Sequence, residues 1–306
     1  MIDNRPKLIV ITGPTASGKS SLAIELAHYF GGEIVNADSM QVYRYMDVGT
    51  AKPSIIERRG IPHHLIDVVE PDEDFNVAIY CSFAEPLLRE IEEKQKICFV
   101  VGGTGLYIKS LLGGLLKCPP TDHELRKKLF HECEEYGSFF LHERLKVFDP
   151  ESALRIHPHD KIRILRALEI INLTNKPLSS LMRKHGFKDR PYRALKICLQ
   201  MDRDQLYRRI NQRTLAMIEE GLVMETEVLL RKGYSPDLKP MKTLGYRHIV
   251  KFLEGESDLD ETIRQLQRDT RRYAKRQLTW FKSDHEMVWV EPQNRDLIVK
   301  NIQEFI

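Results

Sequence analysis

Eight consecutive residues carry the clearest chemistry in the chain. Gly13-Pro14-Thr15-Ala16-Ser17-Gly18-Lys19-Ser20 matches G-x-x-x-x-G-K-[ST] in full. A loop of this kind turns successive backbone N–H groups toward one point, where with the start of a helix they make an anion cradle. Lys19 adds a point charge, and the Ser20 hydroxyl suits a magnesium ion shared with phosphate oxygens. The group expected here is a diphosphate or triphosphate. Asp38 is the second candidate, a carboxylate following the apolar stretch Glu33-Ile34-Val35-Asn36-Ala37. In open α/β sheets ligands bind beyond the carboxyl ends of the strands, which places Asp38 beside the phosphate loop. Asp38 also suits a turn or a helix cap, a role that asks for no chemistry.

The surrounding elements fit that placement. Leu8-Ile9-Val10-Ile11 is an unbroken apolar run, as in a strand buried on both faces, and Leu22, Ala23, Leu26 and Ala27 follow the loop at helical spacing. Further strands are expected at 33–37, 63–69, 97–101, 194–201 and 286–290. A helix is expected over 76–93, with Ile79, Phe83, Leu87, Leu88 and Ile91 on its buried stripe. His63-His64 invites a metal reading, but nothing nearby completes a ligand set, so structural roles are expected. The run Ile97–Val101 ends in Gly102-Gly103-Thr104, where a phosphoryl-transfer enzyme often has a magnesium-holding Asp. The two glycines would let backbone approach a ligand closely.

From residue 121 to 190 the composition turns charged and helix-forming, bounded by Pro119-Pro120 and Pro191. The expected architecture is α/β: a P-loop NTPase-like core with a mainly parallel sheet flanked by helices, plus a small all-helical insertion domain. The core's first part would span 1–120, the insertion 121–190, and the core's second part, with basic helices, 191–306.

Composition narrows the classes. No apolar run reaches the roughly 20 residues of a membrane span, and the segment before the first strand leaves no room for a signal peptide, so a cytoplasmic protein is expected. The five cysteines lack C-x-x-C spacing and read as buried or incidental thiols. Net charge is +3, unevenly spread: 17 basic against 22 acidic residues up to position 150, then 30 against 22. A basic second half suits a polyanionic partner. Arg163 and Arg166, three apart on one helix, and the long helix carrying Arg264, Arg268, Arg271, Arg272, Lys275 and Arg276 are candidate contacts, or else solvated faces.

The motifs GPTASGKS, NADSMQVY, MDVGTAKP, VGGTGLY, RILRALEI, TLGY and RRYAKRQLTWF, in this order from Gly13 to Phe281, closely resemble those of bacterial tRNA dimethylallyltransferases. The resemblance implies transfer of a five-carbon prenyl group from dimethylallyl diphosphate to the N6 of an adenosine beside the tRNA anticodon. It implies that Gly13 to Ser20 hold the diphosphate with Mg2+, that Asp38 is the general base, that Thr104 touches the adenine or diphosphate, and that Lys19 and Arg213 act on the leaving group. Contacts with the tRNA anticodon stem-loop are expected from Asp38, Ser39, Met40, Gln41, Thr104, Arg126, Ile162, Arg163, Ile164, Leu165, Arg166, Arg271 and Lys275, with the enzyme a monomer. Ser20 stands where many members have Thr, and Ile162 where a polar residue is common. The resemblance is to the bacterial form, for which no C-terminal zinc-binding extension is expected. A prenyltransferase of free adenine nucleotides, a small-molecule kinase using ATP, and a non-catalytic RNA-binding protein remain as competing readings.

Overall fold

The computed structural model describes residue 3 and residues 5–306; residues 1, 2 and 4, part of the segment read as leaving no room for a signal peptide, lie outside the described residues. The chain divides into two compact units, one made of 1–112 and 191–306, the other of 113–190.

The first unit is built on six parallel strands: β1 (Lys7–Thr12), β2 (Glu33–Asn36), β3 (His63–His64), β4 (Cys98–Val101), β5 (Arg193–Leu199) and β6 (Val288–Val290). Their order is β3-β2-β4-β1-β5-β6, so β1 lies between β4 and β5, and β4 separates it from β2. The apolar run of β1 is buried on both sides, as its lack of alternation requires. Leu8 and Val10 face a core shared with α2 (Val77–Glu93) and α3 (Gly105–Gly113). Ile9 and Ile11 face a second core, with Leu22, Ala23 and Leu26 of α1 (Lys19–Phe30) and Ile298 and Ile302 of α12 (Arg295–Phe305). After β5 come α8 (Arg203–Glu219), α9 (Leu222–Arg231), α10 (Tyr246–Leu253) and α11 (Leu259–Lys282).

Two local expectations are corrected. The strand expected over 63–69 is only His63–His64, because Leu65 (φ 61°) and Asp67 (φ 57°) turn into the left-handed region and end it. In α2 the buried face is Tyr80, Cys81, Ala84, Leu88 and Ile91, and Phe83 lies 42% exposed. The helix is rotated to put the Tyr80 ring in the core, stacked 4.4 Å from Tyr107. The two histidines do structural work. His64 Nε2 pairs at 2.7 Å with buried Glu33, which also takes Lys96, and His63 Nδ1 bonds the Ile61 carbonyl.

The second unit holds α4 (His123–Phe148), α5 (Pro150–Arg155), α6 (Lys161–Thr174) and α7 (Leu178–His185). Gly137, at φ 83° and ψ 159°, breaks α4 in two. Leu129, Leu141 and Leu145 of α4 pack on Ile164, Leu165 and Leu168 of α6. Two buried carboxylates stitch the helices: Asp149 caps α5 and accepts the Ser179 N–H, and Glu169 pairs with Arg166 and accepts the Asp122 N–H. Among the described residues, no helix is long and apolar enough to cross a membrane.

The glycines after β4 serve packing within the protein. A Cβ on Gly102 would lie 2.2 Å from the Ala37 carbonyl carbon and oxygen, and one on Gly103 would meet Gln277 at 2.3 Å. Backbone has little room to yield, so Gly102→Ala should destabilise the protein by about 1–3 kcal/mol, as overpacked cores do. Urea unfolding measures it, and an unchanged midpoint would mean that β2 and β4 are free to move apart.

Candidate active site at the carboxyl edge of the sheet

The phosphate loop joins β1 to α1 through three left-handed residues, Gly13 (φ 147°), Ala16 (φ 64°) and Gly18 (φ 89°). The conformation costs a residue with a Cβ, here Ala16, about 1–2 kcal/mol. Helix α1 starts at Lys19 with no side-chain cap and no acidic residue in its first turn, leaving its first N–H groups and its positive dipole end for an anion. Ser17 Oγ is buried without a hydrogen-bond partner among the described residues. Two N–H groups of the loop are already taken: Thr15 donates to Gln277 Oε1 at 2.8 Å and Ser17 to Pro14 O at 3.2 Å.

The charges around the loop are unbalanced. Lys19 is half-buried, and burial pushes its ammonium from the usual 10.5 down to about 8. Asp38 works against that fall, and Arg213 adds to it. Burial likewise lowers Arg213, opposed by Asp38 and Glu220. Lys19, Ser20, Asp38, Arg213, Tyr273 and Gln277 share one small pocket. It adjoins a cavity of about 330 Å³ where Asp38, Arg213 and Tyr273 meet Met40, Met217 and Leu266. On the other side of Lys19 and Ser20, a cleft of about 1050 Å³ is lined by both signs of charge, with Lys52 paired to Asp47 and Asp67, and Arg58, Arg209 and Arg213 near Glu57 and Glu220.

Asp38 is reached directly from β2. Ala37 N–H donates to Val101 O at 2.7 Å, and Asp38 Oδ1 accepts the Met40 N–H at 2.9 Å. The turn role expected of Asp38 is therefore present, occupying one carboxylate oxygen. Thr104 braces the same segment, its Oγ1 accepting the Ser39 N–H at 2.9 Å and lying 3.3 Å from Ser39 Oγ. It thereby holds the loop that carries Asp38.

Helix α11 adds two residues the sequence did not single out for the site, Tyr273 and Gln277. Burial raises the Tyr273 phenol well above its usual value, with Asp38 adding to the effect. Gln277 donates to Gly103 O at 3.0 Å while accepting from Thr15, tying the phosphate loop to the end of β4. Their spacing of four with buried Ala274 between them was the available signal.

A family model described as "IPP transferase" matches residues 41–284, and one described as "Isopentenyl transferase" matches residues 6–67. The chain belongs to the IPP transferase family. It is 50% identical over 304 residues to a "tRNA dimethylallyltransferase 2" of Geotalea uraniireducens (strain Rf4), covering 99% of this chain and 98% of that one. A Geobacter sulfurreducens "tRNA dimethylallyltransferase" is 51% identical over 296 residues, 96% of this chain and 95% of the relative. Among solved structures, the full-length tRNA isopentenylpyrophosphate transferase of Bacillus halodurans aligns with a TM-score of 0.72 at 39% identity over 98% of both chains. A eukaryotic dimethylallyltransferase acting on tRNA aligns at 0.79 and 29% identity, over 94% of this chain and 74% of that one.

The residues expected at an RNA interface are placed unevenly for this family member. Ile164 and Leu165 are core side chains of the second unit, so their expected contact role is corrected: α6 turns them inward against α4. Arg166 is tied to fully buried Glu169 and to Pro119 O, whereas Arg163 is largely exposed and Ile162 is 74% exposed. Arg126 is half-buried on α4. On α11, Arg271 donates to Asn211 Oδ1 at 2.6 Å, and Arg268 and Arg272 both pair with Asp269. Lys275 is exposed and forms no ion pair among the described residues.

The lowered Lys19 value gives a signed prediction. Charging Lys19 opposes folding of the ligand-free protein, a cost fully present below about pH 8 and relieved as pH rises toward 10.5. A bound diphosphate favours the ammonium, so it should drive proton uptake above about pH 8, and its affinity should fall as pH rises past that value relative to Lys19→Met. Calorimetry in buffers of different ionisation enthalpy reads both, and equal pH profiles for the two proteins would remove Lys19 from the anion's contacts.

Proposed function

We propose that this chain transfers the dimethylallyl group of dimethylallyl diphosphate to the N6 amine of an adenosine beside the anticodon of tRNA, releasing diphosphate. The observation that carries the reading is the shared pocket in which two desolvated cations, Lys19 and Arg213, face the single carboxylate of Asp38. Displacement at an allylic carbon needs both sides of it. As the N6 lone pair forms the bond to carbon, the C–O bond breaks and its electrons move onto the diphosphate. Preorganised cations and N–H donors aimed at those oxygens supply what is usually the largest catalytic effect. The N6 proton passes to a carboxylate oxygen of Asp38, which offsets the poor nucleophilicity of an amine conjugated with its ring. The adenine would have to leave the stacked anticodon loop to reach this pocket.

For magnesium, the donor set supports a minimal role. Ser20 offers a half-buried hydroxyl in the pocket, and the described residues include no cluster of three His, Cys, Asp or Glu able to hold a metal. Such an ion would take Ser20 and otherwise diphosphate oxygens and water, as Mg2+ commonly does. When bound, it would neutralise charge on the leaving diphosphate. A kinase would call for a carboxylate at the end of β4, and Gly102 stands there against the Ala37 backbone. On this reading the enzyme works as a cytoplasmic monomer on tRNA.

Incubation with labelled dimethylallyl diphosphate and unmodified tRNA should yield N6-dimethylallyl-adenosine on nucleoside analysis; label remaining in the diphosphate, with no nucleoside product, would sink the proposal. Asp38→Ala should slow single-turnover transfer by about 10²–10⁴-fold while tRNA affinity holds. If Asp38 served only its turn, the change would instead cost about 1 kcal/mol of stability and little rate.

The surface of α11 separates two kinds of basic residue. Lys275→Ala should lower the log–log salt slope of tRNA binding by about one unit. Arg271→Ala should chiefly loosen the packing of α11 on α8, seen in thermal melting. A slope unmoved by Lys275→Ala would place that face in plain solvent.

A further inference from the structure

Residues 47–50 line all three cavities of the site: Asp47 and Val48 the large cleft, Gly49 and Thr50 the 330 Å³ cavity, and Thr50 also the small pocket beside Asp38. The segment is a series of turns, belonging to no helix or strand that could hold it. Its backbone is instead gathered onto one side chain of α9. Glu225 Oε2 accepts the N–H groups of Asp47 at 2.9 Å and Val48 at 2.8 Å, and Oε1 accepts that of Gly49 at 3.0 Å. Oε1 also accepts the Tyr246 hydroxyl at 2.6 Å, from the first residue of α10. Tyr246 is fully buried, and Gly49 is what admits its ring, since a Cβ there would lie 2.5 Å from Cζ.

The connection continues toward the chemistry. Gln41 Nε2 donates to the carbonyls of Thr50 and Ala51, both at 3.2 Å. Gln41 directly follows Met40, whose N–H is held by Asp38 Oδ1 at 2.9 Å. One hydrogen-bonded path therefore runs from α9 through 47–51 to the segment bearing Asp38, and it bypasses the phosphate loop.

We propose that Glu225, seconded by Tyr246, is a positioning residue for the transfer step: through the 47–51 backbone and Gln41 it fixes the wall and the turn that aim the Asp38 carboxylate. The transfer step itself rests on the function proposed above. A charged acceptor of four hydrogen bonds is well suited to the task, because bonds to an ionised group are roughly twice as strong as neutral ones. Small errors of placement matter at this distance from the chemistry, since about 1 Å can cost about 10²-fold in rate.

Three variants test it: Glu225→Gln, which keeps size and one acceptor oxygen, Tyr246→Phe, which removes one bond, and Gln41→Ala. Glu225→Gln should slow single-turnover transfer by about 10–10²-fold, with the affinity for inorganic diphosphate unchanged. Tyr246→Phe should act in the same direction and less. Combined with Gln41→Ala, Glu225→Gln should add little further loss, because both break one path. Residue-resolved amide exchange should quicken at 47–49 and also at 39–41, and stay unchanged at 13–20. Additive losses, a parallel fall in diphosphate affinity, or exchange that quickens at 47–49 alone would each overturn the proposal. If the wild-type protein transfers no prenyl group, the functional reading fails, while the exchange pattern still decides whether Glu225 holds the Asp38 turn.

Discussion

Two cations stripped of water and set against one carboxylate govern this site. Lys19 and Arg213 are both lowered by burial, which is the signature of positive charge held where solvent no longer supports it. Asp38 opposes both shifts, Glu220 opposes that of Arg213, and within the small pocket Asp38 is the one carboxylate. With the uncapped start of α1 and a Ser17 hydroxyl that has no partner among the described residues, these cations suit the pocket to an anion. The strain at Ala16 belongs to the same account, since the loop holds a costly backbone conformation to aim its N–H groups inward.

Holding such a site together falls to elements distant in sequence. The phosphate loop is fastened by Gln277 from α11, the Asp38 turn by Thr104 from the end of β4, and the 47–49 backbone by Glu225 from α9. Each fastening is a side chain bonding to backbone, so the geometry depends on where main chain is pinned more than on which side chains face the cavity. Parallel topology makes this possible. With β4 between β1 and β2, the loops following all three strands open onto the same edge.

What the sequence made legible follows the range of the interactions involved. The strand, loop and helix around Gly13–Ser20 were readable because their pattern is local, and Asp38 because strand ends in an α/β sheet have a predictable location. Gln277 was not, since its partners Thr15 and Gly103 lie more than 170 residues away in the chain, and Tyr273 joins Asp38 in the pocket only through the fold. The arginines of α11 illustrate the same limit. Their charge was plain, and the Arg272–Asp269 pair lies at a spacing of three, yet that Arg271 meets Asn211 of α8 depended on packing that no spacing encodes. Ile164 and Leu165 went inward for the ordinary reason that the helical face opposite Arg163 is apolar. The end of β3 was hidden because its left-handed residues are Leu65 and Asp67, where a glycine would have announced the turn.

The missing acid at the end of β4 has a steric cause that bears on the chemistry. Ala37 bonds Val101 O through its N–H and accepts the Thr104 N–H through its own carbonyl, drawing the exit of β2 tight against that of β4. A side chain at Gly102 would occupy the space that Ala37 fills. The approach that delivers Asp38 to the phosphate loop thus excludes a carboxylate from the position where phosphoryl-transfer enzymes often hold their metal. Within this backbone the small pocket has one acidic side chain, Asp38, set beside Lys19 and Arg213. That arrangement suits a reaction in which the phosphates depart intact and the bond that breaks lies between carbon and oxygen.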